Sequence, residues 1–466
     1  MSRSSVSEEV EKHELEKEAS HSHVNEQGDD LEPSSSATRS MHDNDVEKDG
    51  ATLTLVESKP SISNVKSVPN GGTKAWLQVC GAFFVFFNTW GILNSFGIYQ
   101  TFYEADLLRT SSPSDISWIG SIEAFALLFA GLVTGPIYDK GYAHELLLVG
   151  SFLIVLGQMM IGLCHEYWQV FLAQGICLGI GMGCLFVSAV AILSTYFTTK
   201  LATATGLAAA GSSIGGMLYP IIFHKLQPHI GFPWTTRVLG FITLATLAVS
   251  NIVLRVRVIP ATRRKFFDFP AWKEAPYVCF TLGTTIAFIG LYAPFYYIQL
   301  YCLQTKIMDA NLAFYTLAVL NAASTFGRII PNLIADHIGP LNVLLPCAFV
   351  CGILQYCLIV TRSTASVMVV IALYGFFSGT LVSLPGTIYV HLAGPKNRSL
   401  IGTRMGMGFA IAGFGVLIGT PVSGAILNAT KFEYVWIFGG TALIIASVLL
   451  ALTRLTQGQW KLWVKV

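Results

Sequence analysis

From Trp76 onward the chain repeats one feature: runs of roughly twenty mostly apolar residues, each long enough to cross about 30 Å of hydrocarbon. They fall at 76–102, 115–138, 144–164, 167–192, 202–224 and 235–256, then at 275–300, 311–333, 342–361, 366–389, 401–427 and 434–455. In lipid every backbone polar group must be satisfied within the segment, so runs of this length fold as helices. The chain is 53% apolar and 12% charged, about half the charged fraction of a typical soluble domain. A soluble enzyme and a nucleic-acid binder are excluded. The expected fold is an all-α membrane protein with twelve transmembrane helices in two pseudo-symmetric six-helix bundles.

The charges divide the chain further. Residues 1–73 hold 15 Asp/Glu against 7 Lys/Arg, and the remainder holds 12 against 22. The acidic stretch has too little apolar surface to offset ordering entropy and reads as a disordered tail. It lacks the basic start and apolar core of a signal peptide. The expected organisation is a tail at 1–73, bundles at 74–256 and 275–456, a linker at 257–274 and a short tail at 457–466. The linker carries Arg257, Arg263, Arg264, Lys265 and Lys273. With the N-terminus inside, the outer loops hold only Arg109, Lys225, Arg237, Lys306, Arg362 and Lys431, so both termini are expected in the cytosol.

The two sets of six echo each other at an offset near 200. Gly135, Asp139 and Lys140 after the second span match Asn332, Asp336 and His337 after the eighth. Gly206, Gly211, Gly215 and Pro220 in the fifth span match Gly406, Gly415, Gly419 and Pro421 in the eleventh. A duplicated unit is the plan of a rocking transporter. Gly135 permits close helix approach, and Asp139 is placed to dock on the positive N-terminal end of the eleventh span, a gate that Lys140 and Asp336 would share. An ordinary interfacial charge pair is the plainer alternative.

These residues carry a resemblance. The Gly-x-x-x-Asp-Lys pattern, repeated at half-length in a twelve-span chain, resembles the major facilitator superfamily. Asn70, Gly71 and Gly72 before Trp76 and Gly81-Ala82-Phe83 are similar to the leading motif of its monocarboxylate porter family. Tyr196-Phe197, Lys200, Gly206 and the run Ala210 to Gly215 are similar to that family's fifth-span motif. Over residues 70–460 the chain resembles the filamentous-fungal branch. The resemblance implies alternating-access transport of a small organic solute, by a relay of a Lys in span 1 and an Asp and Arg in span 8. Here Asn94 stands at the Lys position and Ser324 at the Asp position, and only Arg328 matches. Simple proton–lactate symport is therefore not expected.

Charges within the spans are expensive and tend to be functional. Arg328 is placed to hold an organic anion, its planar fork suiting a carboxylate, or else to make a structural helix contact. Glu123 is the candidate proton carrier, or a partner for a nearby polar residue. Asn88, Asn94, Tyr292, Tyr296, Gln299 and Asn321 complete a polar-aromatic candidate site, though each could equally satisfy a neighbouring helix. No Cys/His cluster has metal-site spacing, no phosphate-binding loop occurs, and no cofactor is expected. The partners expected are a small organic substrate, anionic by the Arg328 reading, protons by the Glu123 reading, and the bilayer. Uptake of an organic acid and export of a secondary metabolite both fit, and a non-transporting nutrient sensor is the alternative. The membrane read from the sequence is the plasma membrane, with the vacuolar membrane second.

Overall fold

The computed structural model describes residues 69–257, 267–394 and 400–458, with Asp139 described by its backbone alone. The expected disordered tail up to residue 68, the basic residues Arg263, Arg264 and Lys265, and the chain end from 459 lie outside the described residues. The protein is all-helical, with no strand among the described residues.

Eleven helices are long and apolar enough to span a bilayer. One of them, Leu201–Val253, is two helices joined at Gly231, where φ is 74° and ψ 168°. Counted so, the spans are α1 (Thr73–Leu107), α2 (Pro113–Asp139), α3 (Ala143–Ile161), α4 (Tyr167–Tyr196), α5 (201–230) and α6 (232–253). They continue as α7 (Ala275–Gln304), α8 (Ala310–Ile338), α9 (Pro340–Val360), α10 (Thr364–Ala393), α11 (Ile401–Ala429) and α12 (Phe432–Gln457). The sequence suggests a ten-residue loop between spans 5 and 6. Instead helix runs to residue 230 and one glycine turns the chain, because a left-handed φ is accessible to Gly without a Cβ clash.

Local chemistry sets several of the starts. Ser112 and Asp115 form a reciprocal capping box ahead of α2, each bond 3.1 Å, with Pro113 at the first helical position. Ser363 and Ser366 do the same for α10. Large apolar side chains such as Phe152, Phe241, Ile252 and Val360 cover the outside, as a lipid-facing surface requires.

The halves are built by the same contacts. Gly211 and Gly215 of α5 lie on the Phe83 and Phe87 carbonyls of α1, so closely that an added Cβ would collide; Gly415 and Gly419 of α11 lie in the same way on Thr285 and Ile289 of α7. Gly175 and Gly179 of α4 face the Ile119 and Glu123 carbonyls of α2, while Gly375 and Gly379 of α10 face Leu320 and Ser324 of α8. Small residues let helix backbones approach without a side chain between them. The sequence repeat is thus a packing repeat, and it sets Glu123 in register with Ser324.

Two seams join the halves, α2 with α11 and α5 with α8. On the face where residues 254–257 and 267–274 lie, hereafter the linker face, Gly135 approaches the Gly402 carbonyl, and Asp336 meets the start of α5. On the far face Ser114 reaches the Pro421 carbonyl, and His224 stacks on Phe314 with ring centroids 4.2 Å apart. Contacts between the halves are thus made at both faces.

Candidate functional site

The irregular helices are α1, α4, α7 and α10. α1 is interrupted at Thr89 and Ser95, α7 at Tyr292 ahead of Pro294, and α10 at Leu384 ahead of Pro385; α4 opens into π-helical turns over Phe171–Leu178. Proline removes a backbone donor and clashes with the preceding turn, which accounts for the breaks in α7 and α10. The breaks in α1 and α7 flank the middle of the molecule, and the polar side chains beside them converge there.

Asn94 and Asn321 meet over Gly216 of α5: a Cβ added to that glycine would lie 2.6 Å from Asn321 Oδ1 and 3.0 Å from Asn94 Cβ. Trp90, one turn before Asn94, stacks nearly parallel to Tyr292, with centroids 6.5 Å apart and planes 12° apart. All four side chains are buried, yet Trp90 Nε1, both Asn94 amide atoms, Asn321 Oδ1 and the Tyr292 hydroxyl have no hydrogen-bond partner.

Arg328 adjoins this cluster, its guanidinium interacting electrostatically with Tyr292. Its Nε donates to Ser324 Oγ (3.3 Å) and its Nη1 to the Ala209 carbonyl (3.3 Å) and Ser212 Oγ across the α5–α8 seam; Nη2 has no partner. Every acceptor is neutral, and no carboxylate pairs with it among the described residues. The guanidinium is fully buried with its charge uncompensated. A buried unmet polar group costs about 1–3 kcal/mol. A cluster of them approaches the stability of a whole domain, so it is tolerable only where solute or water supplies the partners.

Glu123 is fully buried, with neither carboxylate oxygen bonded. Gln174 of α4 and Tyr296 of α7 are its polar neighbours, and each has an unpartnered atom. Gln299 also keeps an unpartnered oxygen. Asn88 is different. Its Oδ1 accepts from the Tyr219 hydroxyl (2.6 Å) and Thr246 Oγ1 (3.1 Å), and its Nδ2 donates to the Phe84 carbonyl and Thr246. It is a satisfied bracket among α1, α5 and α6.

At the linker face the polar groups are paired. Asp336 accepts from Ala202 N (3.0 Å), Thr203 N (2.9 Å) and Thr203 Oγ1 (2.5 Å), a carboxylate on a helix N-terminus. Lys140 is exposed. The docking expected of the Asp139 side chain lies outside the described residues. Asn70, at φ 51°, accepts from Thr198 N, Thr198 Oγ1 and Thr199 N, and the Trp76 ring packs on Phe197.

Besides Arg328 and Glu123, the charges expected within the spans, a third is buried. Arg404 of α11 donates through Nε to Asp268 (2.7 Å) and through Nη1 and Nη2 to both oxygens of Glu274 (2.8 and 2.7 Å). Its place four residues into the eleventh run hints at this, but its partners lie in the linker more than a hundred residues away. Trp90, Gln174 and Tyr103 likewise lie beyond the site expected from the sequence. A Trp at mid-span and a Gln in the very apolar run Phe171 to Leu178 are the signals that could have found them.

A helical molecule made of two repeated six-span halves around a buried polar cluster has the plan of a membrane transporter. The Major Facilitator Superfamily profile matches residues 76–403, and the chain belongs to that family. It is similar to the MFS-type transporter dbaD of Emericella nidulans, 49% identical over 425 residues that cover 88% of this chain and 95% of that protein. It is 38% identical to the aspyridones efflux protein apdF of the same organism over 392 residues, 84% of this chain and 80% of that one. The agnestins efflux protein AgnL12 of Paecilomyces divaricatus is 34% identical over 383 residues, 82% of this chain and 88% of that one.

Proposed function

We propose that the protein exports a small organic secondary metabolite across the plasma membrane by alternating access, with the linker face and both termini in the cytosol. The observation that carries this reading is the set of unpartnered polar atoms around Arg328. A solute with one acidic group, a carboxylate or ionised enol, would meet Nη2 of Arg328 and neutralise a charge that no protein carboxylate compensates. Its body would lie against Trp90 and Tyr292, with Asn94 and Asn321 supplying directional hydrogen bonds. Two relatives named as efflux proteins favour export over uptake. The likeness of Asn70 to Trp76 and of Tyr196 to Gly215 to the monocarboxylate porter motifs supports a carboxylated cargo. Glu123 would carry the coupling proton in place of the acid that Ser324 lacks. Comparing metabolites inside and outside cells lacking the protein tests the reading. One acidic compound depleted from the medium and accumulated inside supports export; unchanged pools on both sides contradict it.

A further inference from the structure

Next to Glu123 the first half buries a row of polar groups that solute binding does not use. Tyr103 Oη donates to Gln174 Oε1 at 2.7 Å, and Gln158 Nε2 donates to Tyr99 Oη at 3.0 Å. Glu123, Gln174, Tyr103, Tyr99 and Gln158 are all buried. Tyr103 and Gln174 both stand on π-helical turns, Tyr103–Leu107 in α1 and Phe171–Leu178 in α4. Such turns are rare and concentrate at functional sites. Gln174 directly precedes Gly175, which packs on the backbone of Ile119 one turn before Glu123.

The bond from Tyr103 matches the amide orientation that Glu123 favours. With Oε1 taken by the Tyr103 O–H, the Nε2 end is left over, and it has no partner; neither do the carboxylate oxygens. An amide turned the other way would set its oxygen against the carboxylate. We propose that Gln174, oriented by Tyr103, is a positioning residue that stabilises the ionised form of Glu123, so that the carboxyl gives up its proton to water admitted when the halves part. This rests on the reading of Glu123 as the proton carrier.

Packing divides the donors by half. Gln174 stays with Glu123 through the cycle, because both stand in the first half and α4 packs on α2 at Gly175, Gly179 and Gly183, where an added Cβ would collide with Ile122, Ala126 and Ala130. Tyr296 comes from α7 in the other half. Its ring packs on Phe96, and a Cβ added to Gly120 would lie 2.7 Å from its hydroxyl, which puts that hydroxyl over α2 one turn before Glu123. Tyr296 therefore reaches this region only when the halves are closed. The titratable groups facing Glu123 are phenols, Tyr99 and Tyr103 from α1 and Tyr296 from α7. α4 brings Gln174, and α11, which meets this part of α2 through Gly413 and Thr420, has no charged residue between them.

The test needs no substrate. Infrared titration of the purified protein follows the protonated-carboxyl C=O band that Glu123→Gln removes. Losing a donor to the charged form favours the proton. In Gln174→Leu and in Tyr103→Phe, which keeps the ring, the pH of half-development is expected to rise by about one unit, one unit being tenfold in proton affinity. Tyr99→Phe, on the same row but not bonded to Gln174, is expected to leave it in place. A midpoint unmoved in both Gln174→Leu and Tyr103→Phe, or moved equally by Tyr99→Phe, overturns the positioning role while Glu123 remains the carrier. Absence of any titrating band that depends on Glu123 overturns the proton reading itself and this inference with it.

Discussion

Polar groups at the linker face and a cluster of them at mid-depth have different fates, although α8 carries both Asp336 and Arg328. At the face, Arg404 has a carboxylate for each side of its fork, Asp336 fills the start of α5, and Asn70 gathers three donors. At mid-depth, on α8 and α1, Arg328 ends in an unpartnered Nη2 and Asn94 has no partner at all. Satisfied groups hold helices in register. Unsatisfied ones can be afforded only where something that comes and goes completes them. That difference is the ground on which the mid-depth cluster is proposed as the solute site.

The largest expected effect is on the unsatisfied side. Arg328→Ala is predicted to lower export at least 100-fold while the protein still folds and reaches the membrane, because neutral acceptors alone replace nothing for the solute. Arg328→Lys is predicted to recover little, since an ammonium cannot hold Ser324, Ala209 and Ser212 while offering a further N–H. Export per molecule of surface protein checks both.

Arg404→Ala should act oppositely, on stability before selectivity. It strands the buried Asp268 carboxylate, and breaking such a pair costs about 3–5 kcal/mol, at the low end here because Glu274 is partly exposed. A thermal-unfolding scan in detergent is predicted to show a clear loss, with cargo preference in the surviving protein unchanged. A smaller effect is expected from Asp336→Asn, which keeps an acceptor at the start of α5 but removes the charge. At about 1 kcal/mol for a carboxylate on a helix N-terminus, the linker face should open about fivefold more often. Labelling of Ala209→Cys, buried in the α5–α8 seam, in a background without the native cysteines reads that opening.

How much of this the sequence holds follows from what each feature depends on. The spans are local: a twenty-residue apolar run fixes its own helix, and eleven long helices, one divided at Gly231, stand where the runs do. The glycine repeat is legible because close packing leaves no alternative residue, and Gly211 and Gly415 make matching contacts in the two halves. The two motif stretches that carry the family resemblance, Asn70 to Trp76 and Tyr196 to Lys200, touch each other in space, so their pairing in one sequence has a physical reason. Which of two asparagines six residues apart is satisfied is not local. Asn88 finds Tyr219 and Thr246, more than a hundred residues on, whereas Asn94 finds neither. Arg404 shows the same limit, since its partners lie beyond the end of the sixth span.

That pair of asparagines gives the most direct test of the central claim, that unmet polar groups mark the solute site. Melting temperature and export rate are measured side by side for Asn88→Leu and Asn94→Leu. Asn88→Leu breaks made hydrogen bonds and is predicted to lose about 1–3 kcal/mol of stability with cargo selectivity intact. Asn94→Leu removes groups that have no protein partner, so stability is predicted to hold or rise while export falls about tenfold. Asn94→Leu destabilising the protein as much as Asn88→Leu, with export tracking only the amount of folded protein, would contradict the account.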